Sequence, residues 1–577
     1  MYLVLIETSG NQNYIFSTNK LKENIGASEL TYRAGTKWVL EAVEKVSKTH
    51  PCLSLFKNGQ QLRDNLLNET LNPAIAPNNN VGVEVIVSTS GKALLLVKEE
   101  KIAKEIIQYV TLKALKEAPG LDICGVIHKF EWDNHNLGEI NRKIHREFAN
   151  IRSQKPANDL RFLRLPMIDE CSTSGLPASL IDNSEINYSS VVSCSKRNYS
   201  EQGLERIREL IKQEKPNLNF PKSIRELINY FESESSEREW LSVIHADGNG
   251  LGEIFLKFEE YIKNDNKTCA EANRSYVEKL RHFSINLDIC TEKAFDTAID
   301  AFEFSNQKLV TVIPLVLGGD DLTVVCDGKN AIKFTKIFLN SFEQETAENQ
   351  IISEIAAKAL KVSRLSACAG IAIIKPKFPF SSAYQLAEKL MQSAKEVKKK
   401  VTHPETNQPY PCSAFDFHIL YDSSNVDFKS IRSKLETKSG NIVTQKLHNR
   451  PYVVTDDKEI QETKGLEWAK FHQFSKLEAK IKALKAKDEN DENKRLLPNS
   501  QIHEMKAGLF LGKSVADARY LLIRNRYHYQ GITTLAGSED SLFQEEPHSK
   551  IDVTGLLDAI DAAEFVNLED KNNEQKA

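Results

Sequence analysis

The chain has 577 residues, 41% of them apolar, and 76 Lys+Arg against 80 Asp+Glu give a formal net charge of −4. That length implies several domains, since compact domains hold roughly 100–200 residues, and the balanced charge excludes a protein that grips nucleic acid through bulk positive charge alone. No run approaches a membrane span, Met1–Glu7 lacks the basic start and cleavage site of a secretory leader, and nine scattered cysteines with no Cys-x-x-Cys pair suit neither a disulfide framework nor a zinc ribbon.

The expectation is therefore a cytoplasmic protein with mostly buried thiols. In chain order, Tyr2–Ile6 reads as a strand, and the loop Glu7–Asn13 leads into a helix from Tyr14. Val81–Val87 and Ala93–Val97 read as a hairpin about Ser88–Gly91, followed by a helix over Glu99–Lys116 and a strand over Leu121–Trp132. A mixed stretch comes next: helix Asn136–Ser153, a loop rich in Ser, Gly, Pro and Asn over Cys171–Arg197, and helices Glu201–Lys215 and Ser223–Glu234.

The opening pattern then returns. Leu241–His245 reads as a strand, Asp247–Gly252 as a loop, and a helix opens at Glu253. Lys308–Leu317 and Leu322–Cys326 flank the tight turn Gly318-Gly319-Asp320-Asp321. Helix Ala331–Glu348, strand Arg364–Ile374, helix Ser382–Lys400 and strand Ala414–Leu420 complete the copy. From Val426 the pattern is helical and charged, with a solvent-open helix at Lys476–Asp491, helices at Ile502–Gly512 and Val515–Tyr527, and a disordered tail over Glu569–Ala577.

The two copies overlay when Ile15-Phe16 is set on Ile254-Phe255, the turn at Gly91 on the turn at Gly319, and Gly125 on Gly370. Thr8 then falls on Asp247, and Lys92 and Ala93 fall on Asp320 and Asp321. The second copy alone carries three acids. Two on a hairpin tip and a third at a strand end make a metal cluster suited to Mg²⁺ or Mn²⁺, which take oxygen ligands and share them with substrate phosphates. Gly318 and Gly319 let the backbone turn sharply, and Gly248, Asn249 and Gly250 precede a helix whose N–H groups face phosphate. Lys395 is a candidate triphosphate contact. Each has a plainer reading: Gly-Gly-Asp-Asp alone is an ordinary turn, Asn249 and Gly250 serve a simple helix entry, Lys398–Lys400 make Lys395 part of a solvated face, and His245 and Trp240 read as packed residues.

These motifs together resemble the large palm polymerase/cyclase subunit of type III CRISPR effector complexes. The resemblance rests on Gln12, Tyr14-Ile15-Phe16 and Gly26-Ala27-Ser28, on Gly318–Asp321, and on Gly370–Ile373 followed by Pro379-Phe380, Ala387 and Ala394-Lys395. It implies an α+β fold of two tandem ferredoxin-like palms: a degenerate first palm (1–135), a helical and loop connector (136–238), a catalytic second palm (239–422) and a helical C-terminal domain (423–577). It further implies conversion of ATP into cyclic oligoadenylate in antiviral defence, with Asp247, Asp320 and Asp321 as catalytic metal ligands and the nucleotides lying between the palms near Ser9–Asn13. Guide RNA and other effector subunits are implied partners. Two departures stand out: no His-Asp dipeptide occurs, so no DNase is expected, and the family's inter-palm zinc cysteines are not evident. A diguanylate-cyclase-like enzyme and a non-catalytic RNA- or protein-binding scaffold are the competing readings.

Overall fold

The structure is a computed structural model. It describes residues 1–566 apart from 48–49, 77–78, 157, 183–186, 215–217, 219–225, 227–239, 264–267, 303–311, 377, 422–426, 440–441, 489–490 and 528–530. The expected helix at Ser223–Glu234 (save Glu226), the start of the strand expected from Lys308, and the tail lie outside the described residues.

The first palm is a four-stranded antiparallel sheet of β1 (Tyr2–Ser9), β2 (Val83–Thr89), β3 (Lys92–Val97) and β4 (Asp122–Lys129), in the order β2-β3-β1-β4. Leu3–Ile6 of β1 are all fully buried, which is why this strand reads as a continuous apolar run and not as an alternation. Helices Leu21–Gly35, Lys37–Val46 and Glu100–Glu117 accompany the sheet.

Helix Leu137–Gln154 then leads to a small module in which β5 (Leu180–Asp182) pairs with β6 (Asn187–Ser189), followed by helices Val191–Asn198 and Ser200–Glu214. The stretch expected to be loop thus holds a hairpin and a helix. Its polar composition hid the helix start, where the Ser190 hydroxyl accepts from the Ser193 N–H as an N-cap.

The second palm is built on β7 (Leu241–Gly248), β8 (Val312–Gly318), β9 (Asp321–Asp327), β10 (Ala367–Ile374) and β11 (Ala414–Ile419). Beyond it, β12 (Glu436–Ser439) and β13 (Ile442–Lys446) form a hairpin, and β14 (Tyr452–Val453) returns to the palm, giving the order β14-β11-β10-β7-β9-β8. β7 is antiparallel to both β9 and β10, while β10 and β11 run parallel. The longest helix, Cys269–Ile299, has no counterpart in the expected element order; a capping box between Thr268 and Glu271 fixes its start.

The helix expected to run from Ser382 through Lys400 is broken: Phe380–Ala394 ends at Lys395 and a short turn resumes at Val397. In the C-terminal part the predicted helices are joined by a small four-stranded sheet. Helix Phe474–Lys485 is not solvent-open. Phe474, Leu477, Ile481 and Leu484 form a stripe at helical spacing that is almost wholly buried, which the surrounding lysines concealed. Among the described residues no helix is long and apolar enough to cross a membrane.

Two of the contacts between the palms are dissimilar in kind. Phe16 stacks on Tyr384 with ring centroids 3.9 Å apart. Glu84 on β2, fully buried, receives Arg274 at 2.8 Å and Arg281 at 2.5 Å from helix Cys269–Ile299.

Candidate metal centre between the palms

Asp247 stands near the end of β7, directly opposite Asp321, the first residue of β9. Asp320 occupies the hairpin tip. The strands were predicted separately, and their pairing brings one oxygen from each of Asp247, Asp320 and Asp321 within 4.8 Å of the others.

Glycine makes this possible at two places. Gly318 and Gly319 turn the hairpin at φ +153° and +62°. A Cβ on Gly248 would lie 2.7 Å from the Asp320 Cβ and 2.5 Å from Leu251 Cδ1, so only glycine admits the acid there.

Helix Cys269–Ile299 fastens the turn from behind. Asp288 accepts the Gly319 N–H, and the Thr291 hydroxyl donates to the Gly319 carbonyl at 2.6 Å. Sequence reasoning missed both residues, since they lie on a helix that carried no motif. Burial, opposed by the Gly319 N–H, pushes the Asp288 carboxyl up to about 6. A raised folded pKa means that the stabilisation this group provides is complete below the usual carboxylate range and is lost as pH rises through about 6. Asp288→Asn keeps an acceptor and removes the buried charge, so at pH 8 it is at least as stable as the parent. Asp288→Ala orphans the Gly319 N–H and costs about 1–3 kcal/mol. Parallel denaturant titrations of the two variants check this ordering.

Lys395 joins the cluster where its helix breaks: Nζ donates to Asp247 Oδ2. Lys398 is also near, its ammonium pushed down by burial and by the charge of Lys395. His245 is buried against Thr323, with Nδ1 3.0 Å from Oγ1, and burial lowers it to about 4, so it is a neutral packed residue. Trp240 packs edge-on to Phe565 and Tyr421.

The remaining loop residues divide. Asn249 is buried and donates to Ser366 Oγ at 3.0 Å and the Cys412 carbonyl at 3.3 Å, locking the loop onto the sheet. Gly250 caps helix Leu251–Leu256 in the left-handed conformation. Gly252 and Gly319 border open space.

Asp320 and Asp321 line a cavity of about 420 Å³ shared with Glu7, Asn11 and Lys92 of the first palm and with His145 of helix Leu137–Gln154. The sheet registers correct the expected overlay of the two copies. Thr89 pairs with Lys92 as Gly318 pairs with Asp321, so Gly91 and Lys92, not Lys92 and Ala93, hold the places of Asp320 and Asp321. Opposite Lys92 stands Glu7, as Asp247 stands opposite Asp321. The first copy therefore retains one acid and neutralises it internally: Lys92 Nζ lies 3.3 Å from Glu7 and 3.1 Å from His145 Nε2. Burial and the Lys92 charge lower the His145 pKa.

Three clustered carboxylates fit a hard divalent cation. Their own chemistry says the same. Burial first, then the charge of Asp247, raises Asp320 to about 7, and burial with both neighbouring acids raises Asp321 well above the carboxylate range. Protons hold the cluster at low pH, and its contribution to stability is lost as pH rises through about 7, where a bound cation would replace them. Mn²⁺ affinity should accordingly rise between pH 6 and pH 8, by up to about tenfold per pH unit for each proton displaced. Calorimetric titration at several pH values checks this, and a flat profile counts against the cluster.

The fold and the cluster define a two-palm protein with three clustered acids in its second palm that could hold a metal ion. Residues 240–402 match the family model for the Cas10/Cmr2 second palm domain. Over that segment the chain is similar to a Cas10/Cmr2 palm, which makes it Cas10-like there. Among solved structures it is similar to the apo state of a type III-B Cmr-beta complex, at 10% identity over 98% of this chain and 81% of the other, with a TM-score of 0.49. It is also similar to a Csm1-Csm4 cassette in complex with cA4, at 13% identity and a TM-score of 0.37, covering 70% of this chain. A Csm1-Csm4 cassette in complex with AMPPNP matches at 11% identity, TM-score 0.37 and 71% of this chain. The chain spans only 55% and 56% of those two Csm chains. No curated protein matches it in sequence.

Proposed function

We propose that this chain is the palm subunit of a type III CRISPR-type effector and that it joins ATP into cyclic oligoadenylate with release of pyrophosphate. The observation that carries this reading is the convergence of Asp247, Asp320 and Asp321, the last two lining a cavity walled by both palms. The product class is that of the family the sequence resembles.

Magnesium or manganese held by the three acids would neutralise the triphosphate and favour the deprotonated attacking hydroxyl. The chain's own residues do the positioning. Asp247 from β7 and Asp320 and Asp321 from the hairpin clamped by Asp288 and Thr291 supply the carboxylate oxygens. Lys395, paired with Asp247 before substrate enters, is placed to turn to a phosphate oxygen once a cation takes over the acid. Gly252 and Gly319 leave room for the polyphosphate. Across the cavity Lys92 offers a second cation for the other nucleotide. Phosphoryl transfer of this kind depends chiefly on such positioning and charge neutralisation.

The test is mass spectrometry of products formed from mixed nucleoside triphosphates with Mg²⁺ or Mn²⁺, with and without guide and target RNA. Cyclic oligoadenylate is the expected product. A cyclic dinucleotide made from GTP alone would favour the diguanylate reading, and tight RNA binding without turnover under any condition would favour the scaffold.

A further inference from the structure

The module between the palms contains a second convergence of side chains at metal-ligand spacing. Cys171 and Ser174 have two residues between them, as do Ser190 and Ser193, with fifteen residues between the pairs. Two such pairs at this separation are the pattern of a four-ligand zinc site, here with serine at three of the four places. The backbone carries the matching turns. The Gly175 N–H bonds to the Cys171 carbonyl at 3.0 Å and Gly175 takes a left-handed φ of +64°. Ser190 and Ser193 open helix Val191–Asn198.

The four side chains meet. Cys171 Sγ lies 3.5 Å from Ser193 Oγ, Ser193 lies 3.3 Å from Ser190, and Ser190 lies 3.0 Å from Ser174. Thr173 fills the remaining side, 3.4 Å from Cys171 and 3.1 Å from Ser193. In a zinc–thiolate tetrahedron with bonds of about 2.3 Å the sulfurs stand about 3.8 Å apart, so these donors are spaced slightly tighter than metal ligands. The donor set does not fit the zinc that the family implies: three neutral hydroxyls replace thiolates, and structural zinc takes Cys, His or carboxylate ligands.

We infer that a hydroxyl–thiol hydrogen-bond knot of Cys171, Ser174, Ser190 and Ser193 stands in this chain in place of a structural zinc, and that the backbone still holds four-ligand geometry. The knot does the fastening a metal would do. Ser190 and Ser193 are fully buried and Cys171 nearly so. Thr173 continues the network to Glu23 of the first palm at 2.9 Å, where Arg197 also binds at 2.9 Å. Lys196 reaches the Tyr14 carbonyl of the same palm. A hydrogen-bonded knot keeps this fastening without metal supply, and it makes the inter-palm module indifferent to chelators.

The experiment measures metal on the full chain carrying Asp320→Ala and Asp321→Ala, so that the acid cluster contributes none. The chain with the native knot should purify with less than about 0.1 zinc per molecule, and chelator should leave its Tm unchanged. Stoichiometric zinc there overturns the inference. Adding Ser174→Cys, Ser190→Cys and Ser193→Cys should create one site that binds Co²⁺ with the visible spectrum of a tetrahedral tetrathiolate. Its Tm should fall by about 5 °C or more on chelation. A folded triple variant that binds no Co²⁺ also overturns it. Should the triple variant fail to fold, Cys171→Ser in the native knot decides: a fourth hydroxyl should leave Tm within about 2 °C of the parent, and loss of the folded state would show that the thiol acts otherwise.

Discussion

Replacing Asp320 and Asp321 together by alanine should abolish the proposed pyrophosphate release, by about 10⁴-fold or more, while the metal-free protein should become more stable. Both halves follow from one fact. The two carboxyls are packed against Asp247 in a site where burial and mutual charge raise them far from the usual range. Without a cation, the fold carries the cost of that crowding at neutral pH, and removing two of the three acids relieves it by roughly 1–3 kcal/mol. With cation and nucleotide present, the same acids are the only carboxylates that meet at this point among the described residues, so their loss removes the oxygen ligands that organise the triphosphate. Lost turnover with raised thermal stability separates a site effect from unfolding. Turnover that survives the double substitution would place the chemistry elsewhere.

The largest stability effect belongs to a residue outside the cluster. Glu84→Ala should cost about 3–5 kcal/mol, because it takes from two arginines of helix Cys269–Ile299 the buried carboxylate they share, leaving Arg274 only the more distant Glu278 at 3.8 Å. Glu84 is fully buried. One carboxylate oxygen takes both Arg274 Nη1 and Nη2, at 3.0 and 2.8 Å, as well as the Ile75 N–H at 2.8 Å, and the other takes Arg281. The helix that carries these arginines also carries Asp288 and Thr291, which hold Gly319. Loosening its docking therefore reaches the metal turn, and nucleotide turnover should fall along with stability. The combined variant with Arg274→Met and Arg281→Met should recover part of the loss, since an apolar contact replaces unpaired charge. A denaturant unfolding series across the four variants reads this out. No recovery in the combined variant would mean that Glu84 acts through the Ile75 loop alone.

Much of the site was legible in the sequence because its parts are local. Asp320 and Asp321 declare themselves as a hairpin tip, and Asp247 as the end of an apolar strand, so the strand repeat sufficed to place them together. Lys395 was legible as a candidate only. What distinguishes it from Lys398–Lys400 is a helix break that no propensity marks. Asp288 and Glu84 were invisible because their importance is tertiary: one acid meets a backbone N–H 31 residues away and the other meets arginines 190 and 197 residues away. The register of the first copy also escaped, since overlaying the hairpins by their glycines hid the one-residue slip that puts Lys92 opposite Glu7. The knot at Cys171 escaped because serine in a Ser-rich stretch reads as loop, and only the fold shows three of those serines converging on one thiol.

The most direct test of the central claim is a Mn²⁺ titration followed by electron paramagnetic resonance, with a non-hydrolysable ATP analogue present, on the parent and on Asp320→Ala/Asp321→Ala. Nucleotide-dependent Mn²⁺ binding at pH 8 in the parent, weakened toward pH 6 and absent from the double variant, is the predicted result. Mn²⁺ and nucleotide binding that is the same in both proteins would contradict it.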